Sequence, residues 1–382
     1  MYRAKKIRLL PTAEQEILFR KSAGTARWAY NYFLSENRRI YEETGKGVSG
    51  YTIRKHINNV LKKTTHVWLG EVGSNVMKQA VIDAEIALKR FFKNVSGYPK
   101  YKSRHRSKAS FYVNYESLKR VGNGFRGEKF GYVKTSEPLP KIKGKYSNPR
   151  ISYDGKHWYL SVGYEVKPEK VELTGASIGI DLGVKELAIV STGKVYGNIN
   201  KTRRVRQLKK RLRRQQRRAS LKLKGNIKSR DKNGKPIWKR PLRECKNVER
   251  QNALIRLTYK RLTDIRNNYL HQVTSEIVKT KPSRIVMEDL NVRGMMKNRH
   301  LSRAIAEQKF YEFQRQIEYK CERYGIEFVE VGRFYPSSKT CSHCGHVKAD
   351  LRLSDRIYRC AECGLVIDRD LNAAINLANY KI

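Results

Sequence analysis

Two cysteine pairs near the C-terminal end constrain this chain more than any other feature. Cys341-Ser-His-Cys344 is followed, after fifteen intervening residues, by Cys360-Ala-Glu-Cys363. The pattern C-x2-C-x15-C-x2-C is the spacing of a tetrahedral four-thiolate zinc site. Gly345 and Gly364 follow the two pairs, where a tight turn lets backbone amides reach thiolate sulfur. The expected ligands of one structural Zn2+ are therefore Cys341, Cys344, Cys360 and Cys363. Four thiolates complete the tetrahedron, which leaves His343 and His346 outside it and no position open for water. Metal-ligating thiols imply a reducing compartment, and Cys245 and Cys321 read as ordinary thiols.

Charge is the second constraint. The chain has 382 residues with 82 Lys and Arg against 35 Asp and Glu, a net charge of +47. Such an excess repels itself without a polyanionic partner, and nucleic acid is the usual one. A hydrophobic content of 39% and 23 Tyr are enough to build cores, which excludes a disordered polycation. No run approaches the roughly 18 apolar residues of a membrane span, and the basic N-terminus lacks the apolar stretch of a signal peptide. A cytoplasmic, nucleoid-associated protein with no membrane partner is expected.

Along the chain, residues 2–10 alternate basic and apolar side chains before Pro11 and read as a strand. Helical periodicity then predicts helices over 12–43, 51–61 and 74–92, forming a helical module over 12–94. Alternating, aromatic-rich segments at 109–114, 150–154 and 156–164 predict an antiparallel barrel or sandwich over 95–172. Strand 2–10 lacks a local partner and should join it, so the helical module becomes an insertion into a β-domain comprising 1–11 and 95–172. From 173 to 382 strand and helix signals mix as in an α/β domain. The spacing there predicts helices over 252–279 and 302–324 and strands at 176–183, 185–191, 283–290 and 326–331.

Three separated carboxylates stand out in that last region. Asp181 ends an apolar strand in Gly-Ile-Asp-Leu-Gly, Glu288 ends another in Ile-Val-Met-Glu-Asp-Leu, and Asp370 lies where Asp368-Arg-Asp-Leu-Asn-Ala-Ala begins a helix. Acids at strand ends, joined by one from a helix start, can gather around two Mg2+ ions about 3.5–4 Å apart. These activate a water on one side and stabilise a leaving oxygen on the other. Asp368 competes with Asp370 for the third place. Residues 201–230 hold fifteen Lys or Arg and no acid, with Val205, Leu208 and Leu212 on one helical side. Arg203, Arg204, Arg206, Lys209, Lys210, Arg211, Arg213, Arg214, Arg217 and Arg218 cover the rest, a pattern that phosphate contacts would neutralise. The interleaved basic and aromatic run from Tyr98 to Tyr112, which includes His105 and Arg106, also fits nucleic-acid contact. No nucleophilic Ser or Cys arrangement and no G-x-x-x-x-G-K-[ST] phosphate loop occurs, so ATP use is not indicated.

Gly179-Ile-Asp-Leu-Gly183, Val286-Met-Glu-Asp-Leu290, the Tyr335–Gly345 segment around the first cysteine pair and Asp368-Arg-Asp-Leu-Asn-Ala-Ala374 together resemble the TnpB family. These are the OrfB-type proteins of bacterial insertion sequences, related to the compact type V CRISPR effectors. The resemblance in order and spacing covers residues 175–380, whereas the first 170 match mainly in layout. It implies an RNA-guided DNA endonuclease encoded by a transposable element. A wedge-type β-barrel with an inserted helical recognition module would precede an RNase H-like nuclease domain of the RuvC type (173–382). That domain would include an arginine-rich bridging helix (201–230) and a zinc finger (336–366).

In that reading Asp181, Glu288 and Asp370 are the catalytic, Mg2+-binding triad, Asp370 being preferred to Asp368 by its place in the family motif. The bridging helix would touch guide RNA and heteroduplex phosphates. A guide RNA from the element's end would pair with double-stranded target DNA, while the protein, a monomer, reads only a short flanking motif. By position, Tyr51, Lys78, Gln79, Ser110, Phe111 and Asn114 are candidate readers of that motif. Three other readings stay open: a strand-transfer transposase attacking with a 3′-hydroxyl, a small CRISPR effector, and a protein that only binds nucleic acid.

Overall fold

The computed structural model describes residues 2–381 except 105, 106, 170 and 353, so His105 and Arg106 of the basic–aromatic run lie outside the described residues. The chain divides into two compact units, residues 2–166 and 167–382.

In the first unit β1 (Tyr2–Leu10) leads into α1 (Ala13–Thr44), α2 (Gly50–His56) and α3 (Ser74–Phe92). Thr12 starts α1 with a reciprocal capping box. Its hydroxyl accepts from the Gln15 amide and the Gln15 side chain accepts from the Thr12 amide. Gly45, at φ 69°, ends the helix in the left-handed region. Strands β2 (Ser110–Tyr112), β3 (Lys119–Val121), β4 (Gly124–Gly127), β5 (Gly131–Thr135), β6 (Ser147–Tyr153) and β7 (Trp158–Glu165) follow. They join β1 in one seven-stranded antiparallel sheet, ordered β2-β6-β7-β1-β5-β4-β3. Residues 2–8 of β1 pair with β7 and its last two with β5, so the first strand bridges the two halves. The end strands β2 and β3 are not hydrogen-bonded to each other among the described residues. A closed barrel is therefore not what this pairing draws.

The helices do not keep a core of their own. Phe19 of α1 lies 5.8 Å from Phe111, 5.5 Å from Phe130 and 5.3 Å from Trp158, ring centre to ring centre. Ala26 and Phe33 of α1 and Ala80 and Ala84 of α3 share one buried cluster with Ile7, Phe125 and Leu160 of the sheet. Helix and sheet in this unit are two layers around a single core.

In the second unit, β8 (Thr174–Leu182), β9 (Glu186–Val190) and β10 (Val195–Gly197) precede α4 (Arg203–Gly225). The expected helix over 201–230 stops at Gly225, a poor helix former. Residues 227–230 instead form β11 (Ile227–Arg230), a hairpin with β12 (Pro236–Trp238). Then come α5 (Lys246–Lys279), β13 (Pro282–Glu288), α6 (Val292–Met295), α7 (Ser302–Gln308), α8 (Phe310–Tyr324) and β14 (Glu327–Val331). The single helix expected over 302–324 is two, because Lys309 turns left-handed at φ 58°. The break lets buried Gln308 donate to the carbonyls of Gly183 and Val184, at 3.0 and 3.3 Å, beyond the end of β8. Finally β15 (Ile357–Arg359), β16 (Val366–Asp368) and α9 (Arg369–Ala378) close the chain.

The central sheet runs β10-β9-β8-β13-β14, with β8, β13 and β14 parallel and β9 and β10 antiparallel to their neighbours. One face packs Ile178, Ile180, Ile285 and Met287 on α5 and α8 through Val273, Ile277, Phe313 and Ile317. The other face packs Val286 and Val331 on Leu377 of α9. Among the described residues no helix is long and apolar enough to cross a membrane.

Candidate metal centres and nucleic-acid surfaces

Side chains alternate along a strand, so the packing of Ile180 and Met287 on α5 and α8 turns Asp181 and Glu288 to the opposite face, toward α9. Met287 is in register with Ile180, which sets the two acids side by side at the C-terminal ends of adjacent parallel strands. The third acid arrives with α9. Gly179 makes this possible: a Cβ there would lie 2.0 Å from the Ala374 carbonyl oxygen and 2.5 Å from the Ala378 amide. Only glycine lets the helix backbone lie that close. Ser177 Oγ donates to the Ala378 carbonyl at 2.7 Å, and Arg284 reaches the same oxygen at 3.1 Å.

Asp368 and Asp370 divide two roles. Asp368 caps α9, its carboxylate accepting from the amides of Asp370 and Leu371 at 2.9 and 3.1 Å. Asp370 stays available to the sheet, its carboxylate held by Arg369 at 3.0 Å and by Arg356 at 3.8 Å. Glu288 accepts from the buried hydroxyl of Ser337. Burial, then the nearby carboxylates of Glu288 and Asp370, push the Asp181 carboxyl well above its ordinary range. Crowded acids of this kind are what hard cations relieve.

The cysteine site is built differently. Sγ atoms of Cys341, Cys344, Cys360 and Cys363 all lie within 4.8 Å of one another. Cys341 is 3.6 Å from Cys363, and Cys344 is 3.5 Å from Cys360. Among the described residues this is the one group of three or more metal-ligating side chains so tightly gathered. Gly345 (φ 80°) and Gly364 (φ 71°) make the turns, and each first cysteine donates its amide across its turn, Cys341 to His346 and Cys360 to Leu365. Backbone amides of Cys363 and Glu362 favour the Cys360 thiolate, and four convergent soft donors suit Zn2+. The two sites are joined through α9. Asn372 accepts from the Ser342 amide and donates to the Thr340 carbonyl, at 2.9 and 2.7 Å. Asn376 donates to the Ser337 and Thr340 carbonyls, at 2.7 and 2.6 Å. Sequence reasoning missed Ser337, Asn372 and Asn376. Their one signal was position beside the recognised cysteines and acids.

On α4, Arg203, Arg204, Arg206, Lys210, Arg211, Arg213 and Arg214 face solvent, while Val205 and Leu212 bury against Leu262 of α5. Lys209 departs from this pattern: it is half-buried in an ion pair with Glu307, which also holds Arg266 and Arg303. It braces α4 instead of offering a free charge.

The six expected flanking-motif readers do not form one surface. Tyr51, 67% exposed, and Lys78 line an open groove of about 360 Å3 with Arg54, Lys55, Asn58 and Asn59, four residues the sequence reading passed over. Gln79 donates to Asp83 at 3.1 Å, and Asn114 accepts from the Glu116 amide in a turn. Ser110 lines a separate cavity. Phe111 is 1% exposed, so it cannot read DNA: strand alternation turns it into the core beside Phe19.

Fold and sites together define a mixed α+β protein with a carboxylate centre on a five-stranded sheet and a four-cysteine cluster beside it. A solved structure described as "Cryo-EM structure of the Cas12f1-sgRNA-target DNA complex" shares that fold, with a TM-score of 0.59 over 99% of both chains at 15% identity. The family model described as "Probable transposase" (OrfB_IS605) matches residues 161–299, and "Cas12f1-like, TNB domain" matches 310–377. A model described as "Helix-turn-helix domain" matches 1–46, where this chain forms a strand and one unbroken helix. A Streptomyces pristinaespiralis protein named "Putative RNA-guided DNA endonuclease" is 32% identical across 98% of this chain and 88% of its own length. "Putative RNA-guided DNA endonuclease InsQ" of Escherichia coli K12 is 27% identical across 97% and 90%. The chain belongs to the TnpB-type, OrfB family related to Cas12f.

Proposed function

We propose that this chain is the RNA-guided DNA endonuclease of a bacterial transposable element, hydrolysing target DNA at Asp181, Glu288 and Asp370. The observation that carries the reading is the meeting of half-buried Asp181 with Glu288, at the ends of adjacent parallel strands, and with Asp370 from the start of α9. The sheet order and its antiparallel second strand support an RNase H-like nuclease of the RuvC type within 173–382. Residues 1–11 and 95–172 act as the wedge-type region and 12–94 as its recognition helices.

Bound at the triad, two Mg2+ ions supply activation of a water and stabilisation of the leaving 3′-oxygen. The chain's own part is to hold hard oxygen donors in fixed places. Ser337 orients Glu288, Arg369 and Arg356 orient Asp370, and Asp368 fixes the start of the helix that brings Asp370 in. The four cysteines hold one structural Zn2+. A guide RNA from the element's end lies along the exposed cations of α4, whose contacts give affinity without sequence readout. Guide–target pairing reads the double-stranded DNA, and the groove around Tyr51 and Lys78 meets the flanking duplex. The protein works as a monomer in this particle, in the bacterial cytoplasm at the nucleoid.

The test is copurification with the native downstream locus, sequencing of the retained RNA, then incubation with Mg2+ and a plasmid library carrying a matched target beside randomised flanks. A defined RNA, with cuts that depend on target, flank and Asp181, is the expected result. Random cellular RNA, and no difference between the native chain and Asp181→Ala, would replace the nuclease with a binding protein.

A further inference from the structure

We infer that the cavity between α1, α3 and the β2–β6 edge of the sheet is a socket for a phosphate-type oxyanion. Its volume is about 60 Å3. At 10–15 Å3 or so per enclosed water, that is room for roughly four or five heavy atoms, enough for a phosphate group and too little for a base.

Small side chains make the space: Ala23 and Ala26 of α1 and Ala80 of α3 form part of its wall. Cations line the remainder. Arg27 comes from α1, Lys102 and Lys108 from the segment before β2, and Arg150 from β6, against one carboxylate, Asp83. That carboxylate is already matched. Arg150 clasps it with two parallel bonds, Nη1 to Oδ2 at 2.7 Å and Nη2 to Oδ1 at 2.8 Å, and Gln79 adds a third at 3.1 Å. The cavity is thus left with Arg27, Lys102 and Lys108 in excess of its acids.

Lys102 is set in place beforehand. Its backbone N–H donates to Asn31 Oδ1 and its carbonyl accepts from Asn31 Nδ2, both at 2.8 Å. Its ammonium stands 3.6 Å from the centre of the Tyr30 ring. Burial, partly opposed by Asp83 and reinforced by Arg150, holds its pKa below the ordinary lysine range, and burial with Arg104 does the same to Arg27. Arg27 and Lys102 are half-buried and Lys108 is exposed at the cavity's edge, and partly desolvated like charges cost free energy until an anion joins them. A planar carboxylate is satisfied by one guanidinium in parallel bonds, as Asp83 is. The remaining cations converge from two elements, Arg27 from α1 and Lys102 and Lys108 from the segment before β2, and with the Ser110 residue also lining the space they suit a tetrahedral anion. The inference concerns residues 23–150 alone and stands whether or not the carboxylate site is a nuclease.

Phosphate of this kind comes from a nucleic-acid strand or from solution. The test titrates the full chain with inorganic phosphate against sodium chloride of equal ionic strength, following melting temperature and the 31P linewidth. Saturable binding beyond the chloride control is expected. Lys102→Met and Arg27→Gln should each weaken it about tenfold or more, the loss of one charge-assisted contact. Lys102→Arg should restore it, and Lys279→Ala, at the exposed end of α5, should leave it unchanged. If one variant fails to fold, the other carries the comparison. A short DNA duplex then identifies the source. Competition with inorganic phosphate assigns the socket to a strand phosphate, and saturable binding without competition assigns it to the free ion. No binding beyond chloride, or equal binding by folded Lys102→Met and Arg27→Gln, overturns the socket.

Discussion

The two candidate metal centres of the second unit solve opposite problems. The four cysteines come from two short turns and sit within 4.8 Å of one another, each pair positioned by its own glycine and its own backbone hydrogen bond. The three carboxylates come from elements more than a hundred residues apart in sequence at their first step, Asp181 to Glu288. They meet only because β8 and β13 pair in parallel and α9 lies against Gly179. A locally built site can be read from spacing. A site assembled across a sheet also depends on what its supporting residues permit, here Gly179 and Ser337.

Asp181→Asn should have the largest effect. It removes a donor at the centre of the carboxylates and should lower cleavage by about 10³-fold or more, measured as single-turnover rate. The same variant should melt at a higher temperature than the native chain in EDTA at neutral pH. Asp181 has a folded pKa raised above its unfolded value, so ionisation of the native carboxyl costs stability as pH rises through that raised value. Below the ordinary carboxylate range both forms are neutral and the two melting curves should coincide. A lower melting temperature at neutral pH would mean that the acids do not repel one another.

Cys341→Ser comes next. Losing one thiolate should abolish stoichiometric zinc and cost on the order of 5 kcal/mol of the metal-linked stability, read by elemental analysis and melting. Since Asn372 and Asn376 tie the same segment to α9, cleavage should fall with it. Retained activity at zero zinc would show the two centres to be separable. Gly179→Ala should cost about 1–3 kcal/mol by forcing α9 outward, and it should reduce kcat with zinc content unchanged. Ser337→Ala is the smallest: loss of one hydrogen bond to Glu288, on the order of 1 kcal/mol, or about fivefold in half-saturating Mg2+. An unchanged Mg2+ dependence would remove Ser337 from the site.

Much of this was legible beforehand for a physical reason. The strand at 2–10 and the helix at 74–92 carry their own periodicity, and the structure forms both. The cysteine cluster needed only spacing. What the sequence hid was decided elsewhere in the fold. The helix over 302–324 breaks at Lys309 because Gln308 is drawn to carbonyls beyond β8 and Lys309 reaches Asn267 on α5. Phe111 looked like an exposed aromatic beside basic residues, yet the alternation of β2 turns it into the core. Lys209 looked like its neighbours on α4 until Glu307, far along the chain, claimed it. Gly179 sat in plain view within its motif, but its reason lies in a helix almost two hundred residues later.

The pairing of β1 with β7 bears on how this protein is made. Tyr2 lies opposite Glu165, so during synthesis the strand that opens this unit waits for the last strand of the same unit. At about 5–20 residues per second, that delay is roughly 10–30 s. Throughout it, Ile7 and Leu9, which end up sealed in the core, lack the neighbour that will cover them. Until then the apolar side of β1 stays uncovered, and basic residues at 3, 5, 6 and 8 interleave it. Charges so placed discourage edge-to-edge association with other chains, keeping the strand unpaired until its own partner is synthesised.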